Sequence, residues 1–215
     1  MTAECNRLHL LCSKLKRFQV PFEIKETPKN GIYLVFENGE NAHNQERIVR
    51  IGSHTGKDQL QSRILQHFIN ENKDRSIFRK NIGRALLKKE NDRFLAQWEL
   101  DLTTKKAKAQ WQGKIDQEKQ KQIEKQVTTY LQKKCSFVVI EIPEKAERLE
   151  LESKLISTIS NCQECKPSKE WLGQYSPKEK IRESGLWIVN ELYKTPLNQA
   201  DLAFLEKKVN EPELF

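Results

Sequence analysis

The stretch from Gly31 to His67 opens with GIYLVF (31–36), passes through RIVRIGSHTG (47–56) and closes with RILQH (63–67). Ile32, Leu34 and Phe36 alternate with Tyr33 and Val35, which predicts a strand with Tyr33 on the face opposite Ile32 and Leu34. Asn38-Gly39 begins a polar connection and Ile48 to Gly52 resumes a strand, so the two runs predict a β-hairpin with a long loop. A small polar turn, Ser53-His54-Thr55-Gly56, leads into a helix over about 58–70, where Leu60, Ile64 and Phe68 recur every fourth residue. Arg63 and His67 flank that stripe and share one helical face. The planar fork of Arg63 suits a two-point grip on phosphate oxygens, and His67 suits holding or donating a proton near neutral pH. The alternative is an ordinary surface arginine paired with an acid.

Further along, FVVIEI (137–142) is nearly continuous apolar sequence, as expected of a strand covered on both sides. Pro143 then suits the first turn of a helix. In that helix Leu149, Glu152, Ile156 and Ile159 fall on one stripe, so Glu152 stands where periodicity asks for an apolar residue. A carboxylate taken out of water must be paired or bound to a metal, because its desolvation is otherwise costly. A core glutamate paired with Arg63 or another basic residue is the competing reading. Glu150 points away and can pair with Lys154 one turn on.

Four elements, in order, resemble the GIY-YIG nuclease family: Gly31-Ile32-Tyr33, Arg50-Ile51-Gly52, Arg63-x-x-x-His67 and Leu151-Glu152-x-x-Leu155-Ile156. The resemblance implies an α/β fold of the α+β type, a small three-stranded antiparallel sheet flanked by helices. It also implies an endonuclease that hydrolyses DNA phosphodiesters with one divalent cation, Mg²⁺ or Mn²⁺. By the same resemblance Glu152 corresponds to the metal-binding glutamate and Arg63 to the arginine that stabilises the pentacovalent phosphate. His67 corresponds to a histidine of restriction-type members, and Tyr33 to the tyrosine that helps activate water. Arg50 stands where the second tyrosine is usual, which leaves activation to Tyr33 alone or with help from His54, whose ordinary pKa suits a base better than a phenol's. The family's asparagine, a dozen residues beyond the glutamate, is replaced by Glu164, with Asn161 and Ser168 nearby. The departure at Arg50 favours the alternative of a catalytically silent nucleic-acid-binding protein that keeps the fold.

Composition agrees with a polyanion partner. The 215 residues carry a formal net charge of +8 and a pI near 9.2. The charge is concentrated in the middle: positions 73–90 hold seven Lys/Arg against two acids and 105–134 hold nine against three, whereas 191–215 hold three against five. Lys57, Arg79, Lys80, Arg84 and Lys88 are the candidate contacts to a nucleic-acid backbone, which would add affinity without reading sequence. Double-stranded DNA is the expected partner, and self-association is compatible with the sequence. No apolar run spans a bilayer and no Gly-rich nucleotide loop occurs, so a soluble cytoplasmic protein without a nucleotide cofactor is expected.

Five scattered cysteines do not make a secreted disulfide framework. Cys5, His9 and Cys12 fall at helical spacing, and Cys162 and Cys165 could complete a metal site. Because Cys162-x-x-Cys165 has no second pair at finger spacing, small core cysteines and a surface histidine are the expectation. In outline, a helix and linker over 1–30 precede a core over 31–161. A polar helical insertion at about 103–134 interrupts that core, and an extension over 162–215 covers it.

Overall fold

The computed structural model describes residues 2–210. In chain order these form helix α1 (Thr2–Cys12), strands β1 (Gly31–Ala42) and β2 (Gln45–Gly52), and helices α2 (Leu60–Phe68), α3 (Ile77–Lys89), α4 (Leu95–Trp98), α5 (Lys105–Trp111) and α6 (Gln117–Lys134). Strand β3 (Cys135–Glu141) follows, then helices α7 (Lys145–Asn161), α8 (Glu179–Ser184) and α9 (Gln199–Asn210). Among the described residues the sheet has three antiparallel strands in the order β2-β1-β3. This is the α+β arrangement expected.

The alternation in GIYLVF sorts side chains into two apolar layers. Ile32, Leu34 and Phe36 join residues of α1, α7 and α9, whereas Tyr33 and Val35 join those of α2, α3 and α6. FVVIEI divides the same way, with Val138 and Ile140 in the first layer and Phe137 in the second. The expected long loop is corrected: the strands run on past Asn38-Gly39 and close through His43-Asn44, both left-handed, and the hairpin is not regular. Val35 pairs with Arg50 and Phe36 with Ile48, so two residues of β2 oppose one of β1. This bulge sends Val49 into the second layer while Ile48 and Ile51 stay in the first. The Arg50 guanidinium lies 4.9 Å from the ring centre of Phe78 on α3.

Both edges of the sheet are covered. Phe18 exchanges two backbone hydrogen bonds with Phe137, and the Trp187 N–H donates to the Val49 carbonyl at 2.8 Å. Buried polar groups tie the last part of the chain to the hairpin. Glu37 accepts from the indole N–H of Trp171 and of Trp187, each at 3.1 Å, and from the Tyr130 hydroxyl. Burial pushes the Glu37 carboxyl up, and those donors offset part of the cost. Arg47 donates to Glu40 at 2.6 and 3.0 Å and to the Gly185 carbonyl, while Ser168 donates to Glu40 from its N–H and its hydroxyl.

Three local expectations are corrected. Ile77 is exposed rather than inward, because α3 turns Phe78 and Ile82 to the sheet instead. Pro143 precedes the α7 N-cap, Glu144. Leu149 is exposed on α7, where the buried stripe runs through Arg148, Leu151, Leu155 and Ile159.

Candidate active site

Where β2 ends, the chain leaves the sheet between its two helical layers, and Ser53, His54 and Thr55 form one wall of a polar cleft of about 310 Å³. Gln59 and, from α2, Ser62, Arg63 and Gln66 form the other. Helix α7 reaches the same wall from the opposite layer: the Glu152 carboxylate accepts from the Ser53 N–H at 3.1 Å and from the Ser53 hydroxyl. Residues 99 apart in sequence thus meet at the end of the sheet. Glu152 is partly open to solvent, on the margin of the α7 stripe rather than inside it.

Arg148, one turn before Glu152, is buried and fastens this corner. Its guanidinium donates to the His54 carbonyl at 3.2 Å and to the carbonyls of Ile142 and Pro143 at 2.9 Å each. The sequence reading passed over it, although its position four residues before Glu152 on one helical face is a usable signal. Arg63 donates to the Gln66 side chain at 3.2 Å and to the Arg75 carbonyl at 3.0 Å. It forms no ion pair among the described residues, which leaves its charge uncompensated at the cleft.

His67 parts company with Arg63. Its ring is fully buried, with Nε2 at 2.7 Å from the Tyr33 hydroxyl and Nδ1 at 2.7 Å from Ser76 Oγ. The expectation that it donates to a phosphate is therefore corrected: no face of it reaches solvent. Desolvation, with the nearby charges of Arg50, Arg63 and Arg79, drives its pKa well below the ordinary value, so it is neutral. Ser76 Oγ also caps α3 by accepting from the Arg79 N–H. The neutral ring donates from one nitrogen and accepts at the other, so it links the Ser76 and Tyr33 hydroxyls. The phenol lies against Gly52, its partner across the hairpin, where an added Cβ would overlap the hydroxyl.

His54 lines the cleft but has no free nitrogen. Nδ1 donates to the Gly56 carbonyl at 2.6 Å and Nε2 accepts from the Gly31 N–H at 3.3 Å. Burial lowers its pKa. The expectation of a base is corrected by that pairing. Arg50, in place of the second tyrosine, is buried and donates to the Trp187 carbonyl at 2.7 Å. None of the stand-ins for the family asparagine comes to the cleft: Asn161 bonds Ser157, Glu164 pairs with His43, and Ser168 bonds Glu40.

The basic candidates divide. Arg79 is buried in a pair with Glu124 of α6 at 2.8 Å and Arg84 in a pair with Glu99 at 2.6 Å, so both are corrected from surface contacts to internal ties. Lys80 is half-buried and donates to the Glu99 carbonyl, whereas Lys57 and Lys88 are exposed.

A family model describing the GIY-YIG domain matches residues 6–214. The chain belongs to the GIY-YIG family. Comparisons with curated proteins and with solved structures yield no match. The match covers the GIY-YIG sheet together with α1 and the segments after α7, in keeping with the way both ends of the chain enter the two apolar layers.

Proposed function

We propose that the chain is a Mg²⁺-dependent DNA endonuclease acting by a one-metal mechanism. The observation that carries the reading is the pairing of Glu152 from one layer with Ser53 in the wall of a cleft whose other wall presents Arg63. The donor set fits a hard cation. The cleft offers hydroxyls and side-chain amides beside the paired His54 and the Arg63 guanidinium, with no sulfur, and Ser53 brings the Glu152 carboxylate to its wall; a single carboxylate suffices for Mg²⁺ when water and phosphate complete the shell. Glu152 would hold the ion, with the Ser53 hydroxyl beside it. When bound, the cation supplies Lewis-acid stabilisation of the charge that develops on phosphorus-bound oxygens.

The remaining work falls to this chain's own groups. Arg63 grips the scissile phosphate in two-point contact and is matched to charge that grows toward the transition state. Tyr33, whose hydroxyl is paired with His67 Nε2 and packed on Gly52, is the motif residue that would orient the attacking water, although in this structure it is as buried as His67 and does not line the cleft. Arg148 keeps the Ser53–His54 wall in register with Glu152. Lys57 and Lys88 add contact to the nucleic-acid backbone.

Supercoiled plasmid incubated with Mg²⁺, Mn²⁺ or EDTA tests the reading. Nicked and linear products are expected with either metal and none with EDTA. Arg63→Ala should slow cutting by on the order of 10²–10³, and Arg63→Lys should not restore it, since lysine lacks the fork. Salt-sensitive DNA binding without metal-dependent cutting would instead favour a silent binding protein. The burial of Arg50 away from any water-activating role is what speaks for that second reading.

A further inference from the structure

At the turn end of the hairpin, away from the cleft, the chain gathers a second set of donors. One ligand atom from each of Cys5, His9, His43 and Cys165 lies within 4.8 Å of all the others. The Sγ atoms of Cys5 and Cys165 are 3.4 Å apart, and Cys162 Sγ stands 3.3 Å from His43 Nε2. A tetrahedral site with bonds of about 2.0–2.3 Å sets its donors about 3.3–3.8 Å apart, so the cluster is close to the size required.

The two imidazoles are oriented from outside. His9 Nδ1 donates to the Cys5 carbonyl at 2.9 Å, which leaves Nε2 as a bare acceptor, and that atom is buried without a hydrogen-bond partner. His43 Nδ1 faces the Glu164 carboxylate at 3.1 Å, which leaves its Nε2 turned to the thiols. Metal-bound histidines are held in this way, the second nitrogen given to a carbonyl or carboxylate so that the first presents a lone pair. His43 also occupies a left-handed position, φ 53°, at the hairpin tip beside Asn44 at φ 58°, where asparagine or glycine is the usual choice. A neutral core would have no use for an unsatisfied imidazole nitrogen, which costs desolvation free energy.

We propose that Cys5, His9, His43 and Cys165 bind a zinc ion in a closed structural site. Two thiolates and two imidazoles select zinc over hard cations, and four protein ligands leave no position open for substrate. The thiols of Cys5 and Cys165 release their protons to solvent as the metal enters. The ion joins α1, the hairpin tip and the turn after α7, three segments far apart in sequence. His9 is thus buried rather than a surface histidine, and Cys12, which the helical spacing singled out, stands outside the set.

The test is metal content of the full chain, purified from zinc-containing medium without added chelator. Elemental analysis should give a single equivalent of zinc. Apoprotein titrated with Co²⁺ should develop the charge-transfer and d–d bands of a tetrahedral site with thiolate ligands, which Zn²⁺ then displaces. Cys5→Ser and Cys165→Ser should abolish stoichiometric binding, Cys12→Ser and Glu152→Gln should retain it, and Glu164→Gln should weaken zinc affinity by about 10–100-fold. Wild-type chain with no zinc and no cobalt spectrum would overturn the proposal, as would a Cys5–Cys165 disulfide found by mass or full binding by Cys165→Ser. Because the wild type alone can decide, a variant that fails to fold does not rescue the idea.

Discussion

Tyr33 and His67 form a buried pair behind Gly52 and Arg63, and each gives a measurable consequence. Burial depresses the His67 pKa below its ordinary value of 6.5. The unfolded chain therefore takes up a proton near pH 6.5 that the folded chain refuses, so the contribution is intact above that pH and is lost as pH falls below it. Urea unfolding at a series of pH values should show stability declining below pH 6.5, with a shallower decline in His67→Gln; equal slopes would contradict the assignment. Gly52→Ala should cost about 1–3 kcal/mol, because the new methyl must displace the Tyr33 hydroxyl. A thermal midpoint equal to wild type would remove the close contact from the account. At this scale the sequence was legible in identity more than in environment. The i, i+4 spacing put Arg63 and His67 on one face, yet Ser76 at the start of the next helix and Tyr33 from the hairpin hold the imidazole inside. Glu152 was singled out by a stripe that includes the exposed Leu149, so the residue reads as functional on a periodicity the helix does not follow.

At the level of elements, alternation in GIYLVF and the nearly continuous apolar run FVVIEI were enough to read the strands, the second of them as covered on both sides. The bulge at Val49–Arg50 was not readable, since two-versus-one pairing depends on what covers the strand edge, here Trp187. Nor were the buried ion pairs. A basic run such as 76–89 looks solvated until partners arrive from other elements, Glu124 of α6 for Arg79 and Glu99 for Arg84. Arg47 and Glu40 illustrate the energetic stake, because their pair joins the hairpin to Ser168 and Gly185. Arg47→Ala strands the Glu40 charge and should destabilise the fold by about 3–5 kcal/mol in urea unfolding, whereas a loss within about 0.5 kcal/mol would mean the pair is inert.

For the whole molecule, the sheet works as a partition between two helical layers. One end carries the oxygen-lined cleft, with Arg63 from the second layer and Glu152 from the first. The other carries the thiol and imidazole cluster around Cys5 and His43. The positive charge gathered in 73–134 is partly consumed inside, so fewer cations face a nucleic acid than the net charge of +8 suggests. Glu152 gives the most direct test of the nuclease reading: single-turnover cutting of supercoiled plasmid with saturating Mg²⁺, by wild type and by Glu152→Gln of matched thermal midpoint and DNA affinity. The account predicts that the glutamine variant binds the plasmid but leaves it supercoiled, and cutting at the wild-type rate would contradict it.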